Sequence, residues 1–184
     1  TTSANDVYDT LVAKGVQHLD ILAVSHLHKD HIGGLPKVLT YTTKIDLTLC
    51  NADEKNTEIF RSFEKELLTN GSQITIPRSG NAPGLGDTYS LGSATVEVIF
   101  TSAEDDNDSL VLLITYGDTR FLFTGDIEES AQTQIADKYQ NDTDEPYKID
   151  LIKMPHHGSY TGTLYRFLRT FMPDYAIISV GSGN

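Results

Sequence analysis

The sequence predicts one mixed α/β domain, in which β-strands and α-helices alternate along its 184 residues. Two observations favour this class. Apolar runs of strand length recur between segments whose apolar residues have helical spacing. Short groups of polar residues follow several of the predicted strands, at the strand ends where α/β folds bind ligands. Because a chain of this length can bury one sizeable core but is short for two, we expect residues 1–184 to form a single domain.

The first half is predicted to alternate between helices and strands. The pattern predicts a helix from Asn5 or Asp6 to Val12, strands at 19–25, 45–49 and 73–76, and helices at 35–39 and 54–69. The Asn-Gly pair at 70–71 is typical of a helix end. Cys50 follows a strand and has apolar neighbours, which predicts a buried thiol, and a single cysteine excludes an internal disulfide.

The second half is predicted to begin as β structure and then to return to alternation. The predicted elements are strands at 95–100, 110–116 and 120–124, a helix at 128–139, a strand at 149–154, a helix at 164–171 and a strand at 175–180. A Gly-Asp-Thr turn at 117–119 predicts a hairpin between the second and third of these strands. Ser159 is expected to cap the helix that follows it.

The histidines are the most informative residues, since five of the six lie in two short clusters. The first cluster reads His26-Leu27-His28-Lys29-Asp30-His31 and follows the strand at 19–25 directly. Imidazoles this close disfavour one another's protonation, and each buried ring needs a partner for both nitrogens. A divalent cation meets both needs, because neutral imidazole is its commonest nitrogen ligand. The cluster therefore predicts a metal site, and the alternative is a solvated histidine-rich loop.

Three later segments also lie at or beyond the ends of predicted strands. They are the acidic loop 104–108 with Asn107, the Gly125-Asp126 step, and the turn His156-His157-Gly158-Ser159. Each is ambiguous alone, because an aspartate after a strand is commonly a turn or cap residue and a histidine pair is commonly a surface feature. Their joint occurrence at strand ends favours a ligand-binding site.

Two further polar residues have competing interpretations. Lys153 lies just before the second histidine cluster, so it is a candidate to contact a substrate phosphate, and its alternative is a solvated lysine at a strand end. His18 stands alone before a strand and is expected to be structural or on the surface.

Composition disfavours several classes of function. The chain has 26 acidic against 14 basic residues and a formal charge of −12. This charge opposes sequence-independent binding to nucleic acid or to an anionic membrane, since both need a basic surface. No apolar run approaches the roughly 18 residues of a membrane span, and no signal peptide is visible. The compartment stays open, because a signal removed by processing leaves no trace in the sequence.

Four motifs carry a resemblance to a known family. They are His26-x-His28-x-Asp30-His31, the block 107–112 with 121–126, the block 154–159 and the closing strand 177–181. Together they resemble the metallo-β-lactamase-fold hydrolase superfamily, and within it the bacterial branch that contains the metal-binding domain of the competence protein ComEC. The matching segments span residues 10–182.

The resemblance implies a fold, a cofactor and a set of ligands. The fold is a four-layer αβ/βα sandwich, with two sheets face to face, helices outside and metals at one end. The cofactor is a pair of divalent cations, with zinc favoured and manganese or iron as alternatives. The residues implied as metal ligands are His26, His28, Asp30, His31, Asp126 and His157.

The resemblance also divides tasks among these residues. His26 and His28 would share one metal, Asp30 and His31 would turn to the second, and Asp126 would bridge both. One member of the His156-His157 pair would complete the second site, and the other would hydrogen-bond the leaving group. The sequence leaves this order open, and we assign His157 as the ligand. The residues implied as catalytic are Asp30, Asp126 and His156.

The chain departs from the family pattern in two ways. The superfamily commonly supplies a third histidine to the first metal, but no histidine lies between His31 and His156, so Asn107 is the candidate substitute ligand. The family also begins with strands before residue 1, and this branch continues beyond Gly181. We therefore expect the chain to be a fragment of a longer protein that lacks the N-terminal strands.

Three functions are compatible with these features. The favoured one is a metal-dependent hydrolase, in which a metal-bound hydroxide attacks a phosphodiester or phosphoester substrate. The alternative enzyme is a ComEC-like DNA nuclease domain of a DNA-uptake system, which the acidity disfavours. The alternative of another class is a degenerate, non-catalytic domain that binds a metal or a partner. Hydrolysis of a β-lactam is disfavoured, since substrate choice lies in the loops of a fold.

Overall fold

The computed structural model describes residues 2–52, 54–104, 109–140, 147–160 and 162–180. The chain forms two compact units, residues 1–76 and 77–184. Each unit combines a β-sheet of its own with helices, so the predicted mixed α/β class is confirmed. That residues 1–184 form a single domain stays a prediction.

The first unit contains a three-stranded parallel sheet in the order β1-β2-β3. Its elements are α1 (Thr2–Lys14), β1 (His18–Ala23), α2 (Lys29–Ile32), α3 (Leu35–Leu39), β2 (Lys44–Leu49), α4 (Glu58–Thr69) and β3 (Ile74–Thr75). The register pairs His18 with Lys44 and Ala23 with Leu49, so β1 and β2 end level with each other. The histidine-rich loop therefore begins at the carboxyl edge of this sheet.

The core of the first unit is built around one face of α4. Phe60, Phe63 and Leu67 are buried, and their spacing of three and four residues places them on the same side of the helix. They form one apolar cluster with residues of the sheet and with Leu27 and Ile32 of the loop after β1. Burial of the two loop residues fixes the loop to the core, because each loses most of its contact with water.

The second unit contains a six-stranded sheet in the order β4-β5-β6-β7-β8-β9. Its elements are β4 (Thr88–Leu91), β5 (Ala94–Phe100), β6 (Val111–Tyr116), β7 (Thr119–Phe123), α5 (Glu129–Tyr139), β8 (Leu151–Lys153), a 3₁₀ segment (Pro155–Gly158), α6 (Tyr165–Phe171) and β9 (Tyr175–Ile177). Neighbouring strands are antiparallel from β4 to β7 and parallel from β7 to β9. The carboxyl ends of β7, β8 and β9 therefore lie at one edge of the sheet.

Helices α5 and α6 provide the core of the second unit. Ile135 of α5 and Phe167 and Phe171 of α6 are inaccessible to solvent, and they cluster with strand residues such as Leu122. Tyr139 ends α5 in the same cluster, and burial raises the pKa of its phenol. The apolar periodicities that predicted these strands and helices thus mark the residues that fill the core.

Some predicted boundaries differ from the structure. Helix α1 begins at Thr2, earlier than predicted. Helix α4 begins at Glu58 rather than at 54, because Thr57 Oγ1 accepts a hydrogen bond from the Phe60 amide and caps the helix there. The short elements α2 and β4 were not predicted, since four residues are too few to show a period.

The prediction that Ser159 caps the next helix is wrong. Helix α6 begins at Tyr165, with Leu164 at its capping position. The Ser159 amide instead donates to the His156 carbonyl at 2.9 Å, so it closes a turn around the histidine pair.

Two other local predictions are confirmed. Cys50 is fully buried, and Asn70 is the C-terminal cap of α4. Among the residues that the structure describes, no helix has both the length and the apolar character needed to cross a membrane.

Candidate metal centre

The histidine-rich loop is anchored in the core of the first unit. The Val24 amide donates to the Leu49 carbonyl at 2.8 Å and continues the pairing of β1 with β2 beyond the strand. Leu27 lies between two of the predicted ligands in the sequence, and it is buried in the core, as is Ile32. The apolar residues of the motif therefore hold the loop while its histidines form a group of their own.

The three imidazoles of this loop contact one another. The ring centroids of His26 and His28 are 4.5 Å apart, and those of His26 and His31 are 4.0 Å apart. His26 is 2% exposed. The group therefore suits a divalent cation, which binds imidazole in its neutral form.

Ser25, which was not among the predicted site residues, holds two of these rings. Its Oγ lies 3.2 Å from Nδ1 of His26 and 3.1 Å from Nδ1 of His31. A hydroxyl has one hydrogen to donate, so at least one of the two Nδ1 atoms carries a hydrogen and donates to Oγ. In its neutral form that ring has its lone pair on Nε2, the form in which imidazole binds a metal through Nε2.

Asp30 lies on the exposed side of the group. Its side chain is 63% exposed, and Oδ2 lies 3.5 Å from Nε2 of His31. Both residues belong to the single helical turn of α2, which brings their side chains together. The structure therefore pairs the two residues that the resemblance assigns to one metal.

Gly33 and Gly34 are required by lack of space rather than by backbone conformation. Both lie in the right-handed helical region, with φ of −63° and −89°. A Cβ on Gly33 would lie 2.3 Å from the Lys29 carbonyl oxygen, and one on Gly34 would lie 2.7 Å from Cβ of Ala4. The glycines thus allow the chain to pass close to α2 and α1 directly after the predicted ligands.

In the second unit, Asp126 follows β7 in a buried turn. Gly125 has φ of +58°, a conformation that favours glycine. Ser109 Oγ accepts a hydrogen bond of 2.9 Å from the Asp126 amide. Thr124 Oγ1 donates to the Lys153 carbonyl at 2.6 Å and ties the ends of β7 and β8 together. These bonds hold the Asp126 carboxylate, which is 2% exposed, in one place.

The Asp126 carboxylate has a nitrogen neighbour on each oxygen. Lys153 Nζ lies 3.3 Å from Oδ1 and donates to the Gly125 carbonyl at 2.8 Å. His157 Nε2 lies 3.2 Å from Oδ2. The Lys153 side chain is 18% exposed, so it is not a solvated lysine at a strand end. Its contact with a substrate stays a prediction.

The histidine pair lies in a left-handed turn and not on a strand. His156 has φ 44° and ψ 50°, and His157 has φ 55° and ψ 20°. This region costs about 1–2 kcal/mol for a residue with a Cβ, and such strain persists where surrounding contacts hold it. Strand alternation therefore does not apply to this pair. The turn separates the two rings, whose centroids are 6.3 Å apart.

His157 has the hydrogen bonding of a metal-ligating histidine. Its Nδ1 lies 2.7 Å from the Ser179 carbonyl oxygen. A carbonyl only accepts hydrogen bonds, so Nδ1 carries the hydrogen and Nε2 has the lone pair in the neutral ring. Nε2 is also the atom that faces Asp126. Metal-binding histidines commonly donate their other nitrogen to a carbonyl or carboxylate in this way.

His156 faces a different carboxylate. Its Nδ1 lies 3.2 Å from Oε1 of Glu128, and both side chains are partly exposed. Its amide donates to the Gly125 carbonyl at 3.3 Å, which links the histidine turn to the turn that carries Asp126.

Gln132 of α5 connects the segment after Asp126 with the segment after the histidine pair. It is 1% exposed, and its Nε2 donates to the carbonyls of Ile127 and Gly162 at 2.9 and 2.7 Å. Its Oε1 accepts a hydrogen bond of 2.8 Å from the Leu164 amide. One buried side chain therefore satisfies three main-chain groups in the segments beside Asp126 and the histidine pair.

Replacing Gln132 with leucine is expected to lower the free energy of unfolding by about 3 kcal/mol, since each buried main-chain group left without its partner costs about 1–3 kcal/mol. Urea unfolding of the metal-free protein measures the change. Gln134→Leu is the matched control, because Gln134 is exposed on the same helix and its loss should cost less than about 0.5 kcal/mol. Equal losses for the two variants would show that Gln132 does not connect the turns.

His18 lies apart from the histidine loop, at the start of β1. Its Nε2 lies 2.7 Å from Oδ2 of Asp46, and both side chains are exposed. Hydrogen bonds from Lys44 and His18 hold the pKa of Asp46 below its usual value. With Asp20, these residues form an exposed group of atoms that could hold a cation. His18 is thus a surface residue and a useful control for the loop histidines.

The predicted site residues form two groups, one in each unit. The first group is His26, His28, Asp30 and His31, and the second is Asp126, Lys153, His156 and His157. Asn107 lies outside the described residues. Both groups combine imidazole nitrogen with carboxylate oxygen, a donor set that fits a divalent transition metal.

Three residues that hold these side chains were missed by the sequence analysis. They are Ser25, Ser109 and Glu128. A serine directly before the histidine motif was a usable signal for Ser25. Ser109 and Glu128 reach their partners through contacts between segments distant in sequence, which no local pattern reveals.

Comparison with known proteins identifies the family. A family model described as the metallo-beta-lactamase superfamily matches residues 3–182. ComE operon protein 3 of Bacillus subtilis (strain 168) is 28% identical over 181 residues, which are 95% of this chain and 21% of that protein. Competence protein ComA of Neisseria gonorrhoeae is 26% identical over 178 residues, which are 97% of this chain and 22% of that protein. The chain therefore spans about a fifth of the length of these relatives.

A solved structure supports the same fold. CmlA from Streptomyces venezuelae, described as a diiron beta-hydroxylase, superposes with a TM-score of 0.51 over 87% of this chain and 35% of that chain, at 16% identity. The competence proteins among the relatives confirm the predicted branch, and the likeness to CmlA agrees with the predicted fold. Because the family model covers nearly the whole sequence, the chain belongs to the metallo-β-lactamase superfamily.

Proposed function

We propose that this chain is a metal-dependent hydrolase that uses two divalent cations and acts on phosphodiesters or phosphoesters. The observation that carries the proposal is the hydrogen bonding of His157, in a chain that belongs to this superfamily. Its Nδ1 donates to a main-chain carbonyl, and its Nε2 faces the buried carboxylate of Asp126. This arrangement prepares an imidazole to bind a metal.

The ligands proposed are those that the sequence predicts. They are His26, His28, Asp30 and His31 of the first unit, and Asp126 and His157 of the second. Bound divalent cations supply Lewis-acid stabilisation of charge on a phosphoryl oxygen and a nucleophile from water at neutral pH. Zinc is the favoured metal. Manganese and iron are the alternatives, because imidazole and carboxylate donors bind all three. Asn107 is proposed as a further ligand.

The other residues of the site hold these ligands in place. Ser25 fixes the rings of His26 and His31 through Nδ1, and Ser109 fixes the main chain at Asp126. Such outer contacts matter, because their loss commonly costs about 10–100-fold in metal affinity or activity. His156 is proposed to hydrogen-bond the leaving group, and Lys153 to contact a substrate phosphate.

A second candidate function is a DNA nuclease within a DNA-uptake system. It is favoured by the relatives, which are named ComE operon protein 3 and competence protein ComA. It is disfavoured by the formal charge of −12, which repels the phosphate backbone. A segment outside this chain could supply the basic surface that nucleic acid needs.

The test measures metal content and hydrolysis on the same protein sample. Protein purified without chelator is expected to carry about two transition-metal ions per chain and to hydrolyse bis(4-nitrophenyl) phosphate. His28→Ala should lose metal and activity together. His18→Ala is the matched control for activity, because this exposed histidine lies outside the loop, and it should retain hydrolysis.

The outcomes separate the candidate functions. Cleavage of single-stranded DNA as well as the small diester would favour the nuclease. One inert ion per chain would support a non-catalytic metal-binding domain. Activity that survives in His28→Ala but not in His18→Ala would contradict the proposed ligand set.

A further inference from the structure

Two adjacent histidines face two carboxylates that lie two residues apart. His157 Nε2 is 3.2 Å from Asp126, and His156 Nδ1 is 3.2 Å from Glu128. Ile127, between the two carboxylates, is fully buried and fixes the main chain there. The Asp126 side chain is 3% exposed whereas that of Glu128 is 50% exposed, so one pair lies inside and the other faces solvent. The inner pair contains the proposed metal ligands, whereas the proposed function gives the outer pair a role for His156 but none for Glu128.

We propose that Glu128 is the positioning residue of His156. Its carboxylate accepts the Nδ1 hydrogen of that imidazole and thereby directs Nε2 to the leaving-group oxygen of the substrate. This inference rests on the proposed hydrolase function, and it assigns Glu128 a part in the reaction.

The chemistry of the His156–Glu128 pair determines which nitrogen of the His156 ring can exchange a proton with the substrate. An ionised carboxylate only accepts hydrogen bonds, so Nδ1 of His156 must be the donor in this pair. The ring can then exchange a proton with the substrate only through Nε2. A hydrogen on Nε2 of this ring is what a departing oxygen needs.

Three features hold this geometry. Glu128 occupies the N-terminal cap position of α5 but makes no side-chain capping bond to that helix, and its carboxylate lies at the imidazole instead. The left-handed backbone of His156 sets the direction of its side chain. A Cβ on Gly162 would lie 3.4 Å from Cβ of His156 and 2.2 Å from Ser159 Oγ, so the backbone at Gly162 passes close beside the histidine.

The proposed step is balanced. In phosphodiester hydrolysis, the bond from phosphorus to the leaving oxygen breaks, and a bond from phosphorus to a water oxygen forms. The leaving oxygen takes a proton from Nε2 of His156, and the attacking water releases a proton to solvent, from which the ring is restored. The Nδ1 hydrogen stays in its bond to Glu128 throughout.

The proposed step predicts that the effect of Glu128→Gln on kcat depends on the leaving group of the substrate. Two phosphodiesters that differ only in a 4-nitrophenolate or a phenolate leaving group are compared. The nitrophenolate departs without a proton, whereas the phenolate needs one. Glu128→Gln is expected to lower kcat for the phenyl ester by about 10–100-fold, the usual effect of losing such a positioning contact, with little change in KM. The nitrophenyl ester should lose less than about threefold, since proton donation contributes little there.

Glu129→Gln is the matched control. Glu129 is exposed and is the next residue in the sequence, so this variant should retain both activities. A second readout does not require activity. In metal-free protein, the nitrogen-15 shifts of the His156 ring, assigned with His156→Gln, should change in Glu128→Gln and stay unchanged in Glu129→Gln.

The possible failures are distinguishable. If the unaltered protein hydrolyses neither ester, the proposed function fails and the inference fails with it. If it hydrolyses both, but Glu128→Gln affects the two esters equally or leaves both unchanged, the inference alone is overturned. Unchanged ring shifts in Glu128→Gln would overturn it as well, because an exposed ion pair that does not hold the ring is merely a surface contact.

Discussion

Replacing Asp126 with asparagine is expected to reduce hydrolysis by at least about 100-fold, because metal-assisted stabilisation of the transition state supplies several kcal/mol and each 1.36 kcal/mol is about tenfold in rate. The carboxylate is 3% exposed and has a nitrogen within 3.3 Å of each oxygen. Asparagine keeps the shape of the side chain but removes the charge that a cation requires. Metal content per chain should therefore fall in the same variant, as measured by elemental mass spectrometry.

Asp118→Asn is the control for this substitution. Asp118 is exposed in the hairpin turn between β6 and β7, at the other end of the strand that leads to Asp126. The same chemical change there should leave both metal content and activity unaltered. Full metal content and full activity in Asp126→Asn would remove Asp126 from the proposed ligands.

The parts of the site that the sequence predicted are those with a local signature. The histidine loop and the Gly125-Asp126 step follow strands whose apolar runs are visible in the sequence, and the structure has both segments just after those strands. An apolar strand and the polar residues just beyond it are adjacent in the chain, so pattern and spacing suffice to locate them. The helices predicted at 54–69 and 128–139 also contain buried core residues, such as Phe63 and Ile135.

The parts that the sequence did not predict depend on contacts between distant segments. The histidine pair was predicted to lie in a turn, but the left-handed backbone of both residues was not predicted. That conformation is unfavourable in isolation, so no local propensity predicts it. It is held by bonds such as the one from His157 to Ser179, which joins residues 22 positions apart. Ser159 was assigned to a helix cap because serine ahead of a predicted helix is a common start signal, whereas its amide closes the turn around the histidine pair.

Lys153 shows how burial changes the interpretation of a residue. In the sequence it is a lysine near a strand end, and both a solvated side chain and a phosphate contact are reasonable. In the structure its Nζ lies between the Asp126 carboxylate and the Gly125 carbonyl. Its charge therefore balances that of Asp126, and this balance predicts a measurable contribution to stability.

Lys153→Met is expected to lower the free energy of unfolding of the metal-free protein by about 2–4 kcal/mol, because removing one partner of a buried ion pair leaves the other charge uncompensated. Urea unfolding measures the loss. The double variant Lys153→Met with Asp126→Asn should recover part of it, since the uncompensated carboxylate is then absent.

Lys148→Met provides a control of matched geometry. Lys148 Nζ lies 3.3 Å from Asp174, the same separation as between Lys153 and Asp126, but the side chains of Lys148 and Asp174 are 64% and 47% exposed. Solvent screens an exposed pair, so this variant should lose less than about 1 kcal/mol. Because distance and residue types are equal, the difference between the two variants measures the effect of burial on the Asp126 pair. Equal losses would mean that solvent reaches Asp126 freely and that burial does not strengthen its ion pair with Lys153.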